Sequence, residues 1–280
     1  MRQNYTKGAR NVVIKVGTSV LTRRGRFDKR IIGRLTDQIS RFLKKGIRVS
    51  IVSSGAIGAG MTLLKMTKRP TTMEALQGAA AVGQRYLMQC YEEAFSRKGF
   101  STAQMLLTWA DLAERERFLN AKRTLREIQK WGVVPVINEN DTVATDEIRF
   151  GDNDRLSSLL AILMQADLLI ILSDTDGLYA GGRTGRAHRI RLVKEMGAPI
   201  FLHVREGKNS FTVGGMRSKL KAIRMSVASG VPVFLANGRD PGILADIFNG
   251  EDVGTFFMPR LKKRPAGESW ISHFVRQLKK

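Results

Sequence analysis

The sequence predicts an α/β protein, a three-layer α/β/α sandwich around a mainly parallel central sheet. Three observations carry that expectation. Short unbroken apolar runs recur along the chain, they alternate with longer stretches whose apolar residues return at helical spacing, and the runs end in turns rich in glycine and hydroxyl residues. A strand that is apolar on both sides is one covered by helices on both faces, and strands alternating with helices pair in parallel.

The first run, Val12–Val16, is closed by Gly17, Thr18 and Ser19. It leads to a helix over Lys29–Lys44, on which Ile31, Ile32, Leu35, Ile39, Phe42 and Leu43 recur at helical spacing. A second strand, Val49–Val52, ends in Ser53-Ser54-Gly55, and small and apolar residues continue through Ala56, Ile57 and Met61, repeating the strand, turn and helix unit. Further strands are expected at Thr102–Leu106, Val133–Ile137, Leu168–Leu172 and Val231–Leu235. Helical patterns separate them at Thr72–Lys98, Leu112–Lys130, Asn153–Gln165 and Gly215–Ser229. No internal repeat and no Pro/Ser-rich linker divides the chain before about Pro259, so residues 1–259 read as one domain. Residues 260–280 read as a basic tail ending in a short amphipathic segment, Trp270–Leu278.

At 280 residues and 43% hydrophobic, the chain can bury a large core. No segment reaches the roughly 18 consecutive apolar residues of a membrane span, and Met1–Arg10 lacks the apolar stretch of a signal peptide, so a soluble, cytoplasmic protein is expected. Cys90 is the single cysteine, which excludes an internal disulfide, and its neighbours Leu87, Met88 and Tyr91 place it on a buried helix face. His188, His203 and His273 are scattered, without the paired spacing of a zinc site. A formal charge of +22 attracts polyanions, with clusters at Arg23–Arg34, Lys262–Arg264 and Arg276–Lys280. These clusters lack the aromatic interleaving of single-strand binders, so contact with nucleic acid is expected to be nonspecific if it occurs.

In open parallel sheets, ligands sit at the carboxyl ends of the strands. The residues there are Lys15–Ser19, Ser53–Gly58, Asn138–Thr142, Ser173–Gly177 and Ala236–Gly238. Glycines let backbone amides approach an anion, and helix N-termini add partial positive charge. Neither a P-loop nor a dinucleotide fingerprint is present, so a nucleotide must be held in another way. Lys15 interrupts an apolar run, where a buried ammonium is costly without an anionic partner. Lys219 falls in the first turns of a helix opened by Gly214 and Gly215, within reach of an anion bound at that N-terminus.

From about Val12 to Phe257 the chain carries, in order, Val-Ile-Lys-Val-Gly-Thr-Ser, Val-Ser-Ser-Gly-Ala-Ile, Ala-Ala-Val-Gly-Gln, Gln-Met-Leu-Leu-Thr, Arg-Glu-Arg-Phe-Leu-Asn-Ala, Val-Ile-Asn-Glu-Asn-Asp, Gly-Asp-Asn-Asp, Asp-Gly-Leu-Tyr and Gly-Gly-Met-x-x-Lys. This arrangement resembles the amino acid kinase family. Arg115–Ala121, Ile137–Asp141 and Gly151–Asp154 are its most specific stretches, and they match the members whose acceptor is glutamate. The resemblance implies the amino acid kinase fold and transfer of the γ-phosphoryl group of ATP to the γ-carboxylate of L-glutamate, with Mg2+ carried on the ATP phosphates. It implies that Lys15 and Lys219 contact the transferring group and that Asp154 orients them. Ser54, Gly55, Ala56, Asp141 and Asn153 would bind the amino acid. Lys15, Gly17, Ser173 and Asp174 would lie at the nucleotide, with Val213, Gly214, Gly215, Met216, Arg217, Ser218 and Lys219 of the glycine loop. Val213 and Arg217 stand where a small hydroxyl residue is more usual in the family.

The chemistry agrees independently. A glutamate carboxylate, with a pKa of about 4.3, is already a nucleophile at neutral pH and needs no catalytic base. The resemblance further implies a homo-oligomer, feedback inhibition by proline, and a reductase partner that consumes the acyl phosphate as the first intermediate of proline biosynthesis. Many bacterial members carry a C-terminal PUA domain, and the expectation here is the short form without one.

Overall fold

A computed structural model describes residues 2–23, 25–143, 153–180, 187–197, 200 and 215–260. Along the chain these contain α1 (Arg2–Lys7), β1 (Asn11–Val16), α2 (Thr18–Leu21), β2 (Thr22–Arg23), β3 (Arg26–Phe27), α3 (Lys29–Lys44), β4 (Arg48–Ser53), α4 (Ala56–Leu63) and α5 (Met73–Ser96). There follow β5 (Thr102–Leu107), α6 (Trp109–Ala113), α7 (Arg115–Lys130), β6 (Val134–Glu139), α8 (Asn153–Leu163) and β7 (Leu168–Ser173). The last elements are β8 (Tyr179–Ala180), β9 (His188–Arg189), β10 (Leu192–Val193), α9 (Met216–Ala228), β11 (Val233–Asn237), α10 (Ile243–Asn249) and β12 (Thr255–Phe257). Tail residues 261–280, including the expected segment Trp270–Leu278, lie outside the described residues.

One eight-stranded sheet runs in the order β10-β12-β11-β7-β1-β4-β6-β5. Its six long strands are parallel, and β12 pairs antiparallel with β11. Burial explains the apolar runs: every residue of β1, β6 and β7 is buried, as strands sandwiched between helices must be. Side chains alternate between the two faces. Val12, Ile14 and Val16 enter a core built with α3, α5 and α10, through Ile32, Leu35, Leu87, Tyr91 and Leu244. Val13, Ile137 and Ile171 enter the opposite core, built with α7, α8 and α9 through Leu125, Leu156, Leu160 and Ile223. These are the three layers expected from the sequence.

Helix α3 has the expected bounds, because Asp28 caps it by accepting from Arg30 N at 3.1 Å and its apolar face is buried against the sheet. Cys90 is buried on α5, as its neighbours implied. Helix α5 also lies unusually close to α4. A Cβ placed on Gly60 would meet Ala79 O at 1.8 Å, and one on Gly83 would meet Ala56 O at 1.9 Å, so only glycine lets the two backbones touch.

The helix expected over Leu112–Lys130 is two helices, α6 and α7. Glu114 between them is extended (φ −92°, ψ 129°), and its side chain accepts from the amides of Glu116 and Arg117. Thr108 and Asp111 close a capping box on α6. The two caps end one helix and begin the next despite continuous helical spacing. The strand expected from Val231 begins at Val233, since Pro232 has no N–H to give to the ladder.

Candidate active site

The carboxyl ends of β1, β4, β6 and β7 meet where the sheet order reverses around β1, and the chain places its polar buried groups there. Lys15 shares the parity of Val13, so it points to the face covered by α8 and α9. At 4% exposure its ammonium needs an anion, and Asp154 in the first turn of α8 supplies one, with Oδ1 2.7 Å from Lys15 Nζ. Lys219, in the first turn of α9, approaches the other oxygen of the same carboxylate at 3.2 Å. One buried carboxylate therefore holds two ammonium groups apart and in place.

Burial pushes the Asp154 carboxyl up, but the attraction of Lys15 and Lys219 and their hydrogen bonds together outweigh it and hold the group below its ordinary 3.8. Asp154 is thus ionised at neutral pH and acts as an anchor. Both of its oxygens face ammonium groups, which leaves it poorly suited as a metal ligand. Among the described residues no group of three His, Cys, Asp or Glu could hold a metal ion.

Beside this triad lies a chain of amides. Asn153 Nδ2 donates to Asn138 Oδ1 at 2.8 Å, to Ser54 Oγ at 2.9 Å and to Ser53 O at 3.3 Å. Asn138 Nδ2 in turn donates to Gln84 Oε1 on α5 at 2.9 Å. Ser54 is fixed by its backbone amide donating to Val16 O at 3.0 Å, which ties the end of β4 to that of β1. Gly55 follows with φ +108°, a left-handed conformation that favours glycine, and Ala56 opens α4 without any side-chain cap. Helix N-terminal amides are thereby directed at the same region. Asp141 lies in the turn after β6, where its charge opposes the lowering of the Arg69 guanidinium by burial.

On the other side, Gly17 leaves β1 in a tight turn whose amide donates to Leu172 O at 3.1 Å. A Cβ there would crowd Leu172 O at 3.2 Å and lie in contact with Lys15 Nζ at 3.5 Å, so glycine leaves that side of the ammonium uncovered. Ser173 ends β7, buried, with Oγ 3.3 Å from the exposed Asp174 Oδ1. Gly215 is the N-cap of α9 in extended backbone, with no side-chain cap of its own, and Met216, Arg217 and Ser218 form the turn before Lys219.

The structure thus brings Lys15, Asp154 and Lys219 into one cluster and bonds Asn153 to Ser54. It sets Gly17, Gly55, Ala56 and Ser173 at the ends of the three central strands. Val213 and Gly214, and with them Asp152, lie outside the described residues. Two polar residues were not singled out from the sequence, Asn138 and Gln84. Both sit inside matched stretches, Ile137–Asp141 and Ala80–Gln84, yet nothing in the linear text says that their side chains meet.

The model of the amino acid kinase family matches residues 10–237. A glutamate 5-kinase of Chromohalobacter salexigens is 44% identical, over 94% of this chain and 70% of that protein. That of Methylobacillus flagellatus is 45% identical over 96% and 73%, and that of Geobacter sulfurreducens 43% identical over 99% and 75%. Among solved structures, UMP kinase from Bacillus anthracis superposes with a TM-score of 0.57 at 18% identity, covering 90% of this chain and 97% of that one, which is a likeness of fold.

Proposed function

The chain belongs to the amino acid kinase family, and within it to the glutamate 5-kinases, and on that premise we propose that Lys15, Asp154 and Lys219 form the phosphoryl-transfer centre of an ATP-dependent glutamate kinase. In the reaction, a γ-carboxylate oxygen of L-glutamate forms a bond to the γ-phosphorus of ATP as the bond from that phosphorus to the β,γ-bridging oxygen breaks. The products are γ-glutamyl phosphate and ADP. The nucleophile arrives ionised, so no proton has to be removed.

The observation that carries the proposal is the triad at the carboxyl ends of the strands, in which one buried carboxylate pairs with the buried Lys15 and the partly buried Lys219. Two anions must approach each other, and negative charge spreads over the equatorial phosphoryl oxygens in the transition state. Ammonium groups already fixed by one carboxylate meet that charge without reorganising, and in a buried site they act more strongly than in water. Asp154 keeps the pair from repelling each other when the site is empty of substrate. Mg2+ would ride on the nucleotide phosphates and offset part of their charge; the donor chemistry of Asp154, with an ammonium on each oxygen, suits that division. Ser54, Gly55, Ala56, Asp141 and Asn153 bind the amino acid. Gly17, Ser173, Asp174, Val213, Gly214, the N-cap Gly215 and Met216, Arg217 and Ser218 of the first turn of α9 hold ATP together with the two lysines.

The same membership supports a catalytic unit over residues 1–259, a cytoplasmic location, homo-oligomeric assembly, proline as a feedback inhibitor near the amino acid pocket, and a reductase partner that consumes the labile product. Among the described residues no helix is long and apolar enough to cross a membrane. Measuring ADP release with Mg-ATP and a panel of acceptors tests the substrate. L-glutamate should give the fastest turnover; faster release with aspartate, N-acetylglutamate, carbamate or UMP would reject it.

A further inference from the structure

The carboxamide of Asn153 has an unequal inventory. Its Nδ2 faces three acceptors, Asn138 Oδ1, Ser54 Oγ and Ser53 O, while its Oδ1 is buried with no hydrogen-bond partner among the described residues. The orientation is fixed, because Ser53 O is a backbone carbonyl and cannot turn into a donor, so the nitrogen must face it. A buried acceptor left without a donor costs about 1–3 kcal/mol, which a ligand donor can recover. Resting on the glutamate reading, the ligand's donors are simple to count: both carboxylates only accept, and the α-ammonium alone donates. Asn153 Oδ1 is therefore matched to the α-ammonium. Ser54, whose Oγ already accepts from Asn153, keeps its hydroxyl proton to give to a carboxylate oxygen.

This presentation depends on a residue further back. Asn138 is 2% exposed and offers Oδ1 to Asn153 only while its own Nδ2 has an acceptor, and Gln84 Oε1 is that acceptor at 2.9 Å. Gln84 reaches this point because Gly83 beside it lets α5 touch α4. We infer that Gln84 is a positioning residue for amino acid recognition, acting through Asn138 to hold the Asn153 carbonyl toward the α-ammonium of the substrate. Without Gln84, the Asn138 amide N–H is stranded in the interior, Asn138 moves or turns to find a partner, and Asn153 loses one of its three contacts.

The test compares L-glutamate with glutarate, which has the two carboxylates and no ammonium. In Q84L, KM for L-glutamate should rise roughly tenfold, the equivalent of one lost buried hydrogen bond. The inhibition constant of glutarate as a competitor of glutamate, and KM for ATP, should each stay within about twofold by the same reasoning. Both constants are independent of the active fraction, so partial misfolding does not imitate the result. In an N138A background, Q84L should add nothing further, since Gln84 acts only through Asn138. An unchanged KM in Q84L, a parallel loss of glutarate binding, or additive effects in the double variant would each overturn the inference. Wild-type turnover of glutamate in the same assay reports separately on the substrate reading, and its absence would overturn both.

Discussion

Asp154 sits in an environment where burial and charge oppose each other, and the two lysines decide the balance. Replacing it by Asn leaves the buried Lys15 ammonium and the partly buried Lys219 ammonium facing each other without a counter-charge. Breaking a buried ionic group in this way costs about 3–5 kcal/mol of folding stability. The pH dependence follows from the sign of the shift. A carboxyl held below its ordinary 3.8 contributes stability that is fully present above that value and is lost as pH falls through its folded pKa. The stability gap between wild type and D154N should therefore be constant from neutral pH down to about pH 5 and shrink below about pH 4. Denaturant melts across this range check it, and a gap that widened on acidification would contradict the ionised anchor. At this scale the sequence was legible where chemistry conflicts with its surroundings: Lys15 stood out because it interrupts an apolar run. Asn138 and Gln84 did not, since a polar residue at a strand end or on a helix is ordinary until its partner is known.

At the scale of elements, the crossing of α4 and α5 shapes the end of the site proposed to bind the amino acid. Gly83→Ala puts a methyl 1.9 Å from Ala56 O and 2.2 Å from Gly60 N, so the helices must part. Because α4 begins beside Ser54 and Gly55, and Gln84 follows Gly83, the variant should lose about 2 kcal/mol or more of stability and raise KM for glutamate. Gly78→Ala, on the same helix with nothing within 4 Å of its Cβ, should instead gain up to about 1 kcal/mol from helix propensity. Equal effects in the two variants, read from urea midpoints and glutamate kinetics, would refute the crossing as the cause. The long elements were legible because burial imposes their period, and α3 matches residue for residue. The break at Glu114 was not, because two capping interactions compete with a spacing that stays helical throughout. Strands of two or three residues, such as β8, β9, β10 and β12, are too short to show any period.

For the whole molecule, parallel alternation was readable but the strand order was not, because apolar runs carry no record of which neighbour they pair with. The order places β7 beside β1 on the side away from β4, and this reversal opens the crevice in which Lys15, Asp154 and Lys219 converge from β1, α8 and α9. The +22 charge has no derivation from the reaction beyond a general attraction of anionic substrates. The reaction itself is read most directly by trapping its product with hydroxylamine. Incubated with L-glutamate and Mg-ATP, the wild-type chain should yield γ-glutamyl hydroxamate that requires both substrates, and Lys15→Ala or Lys219→Ala should lower the yield at least about a hundredfold while a folded chain remains. No hydroxamate from the wild type, or undiminished hydroxamate from both lysine variants, would contradict a carboxylate kinase built on this triad.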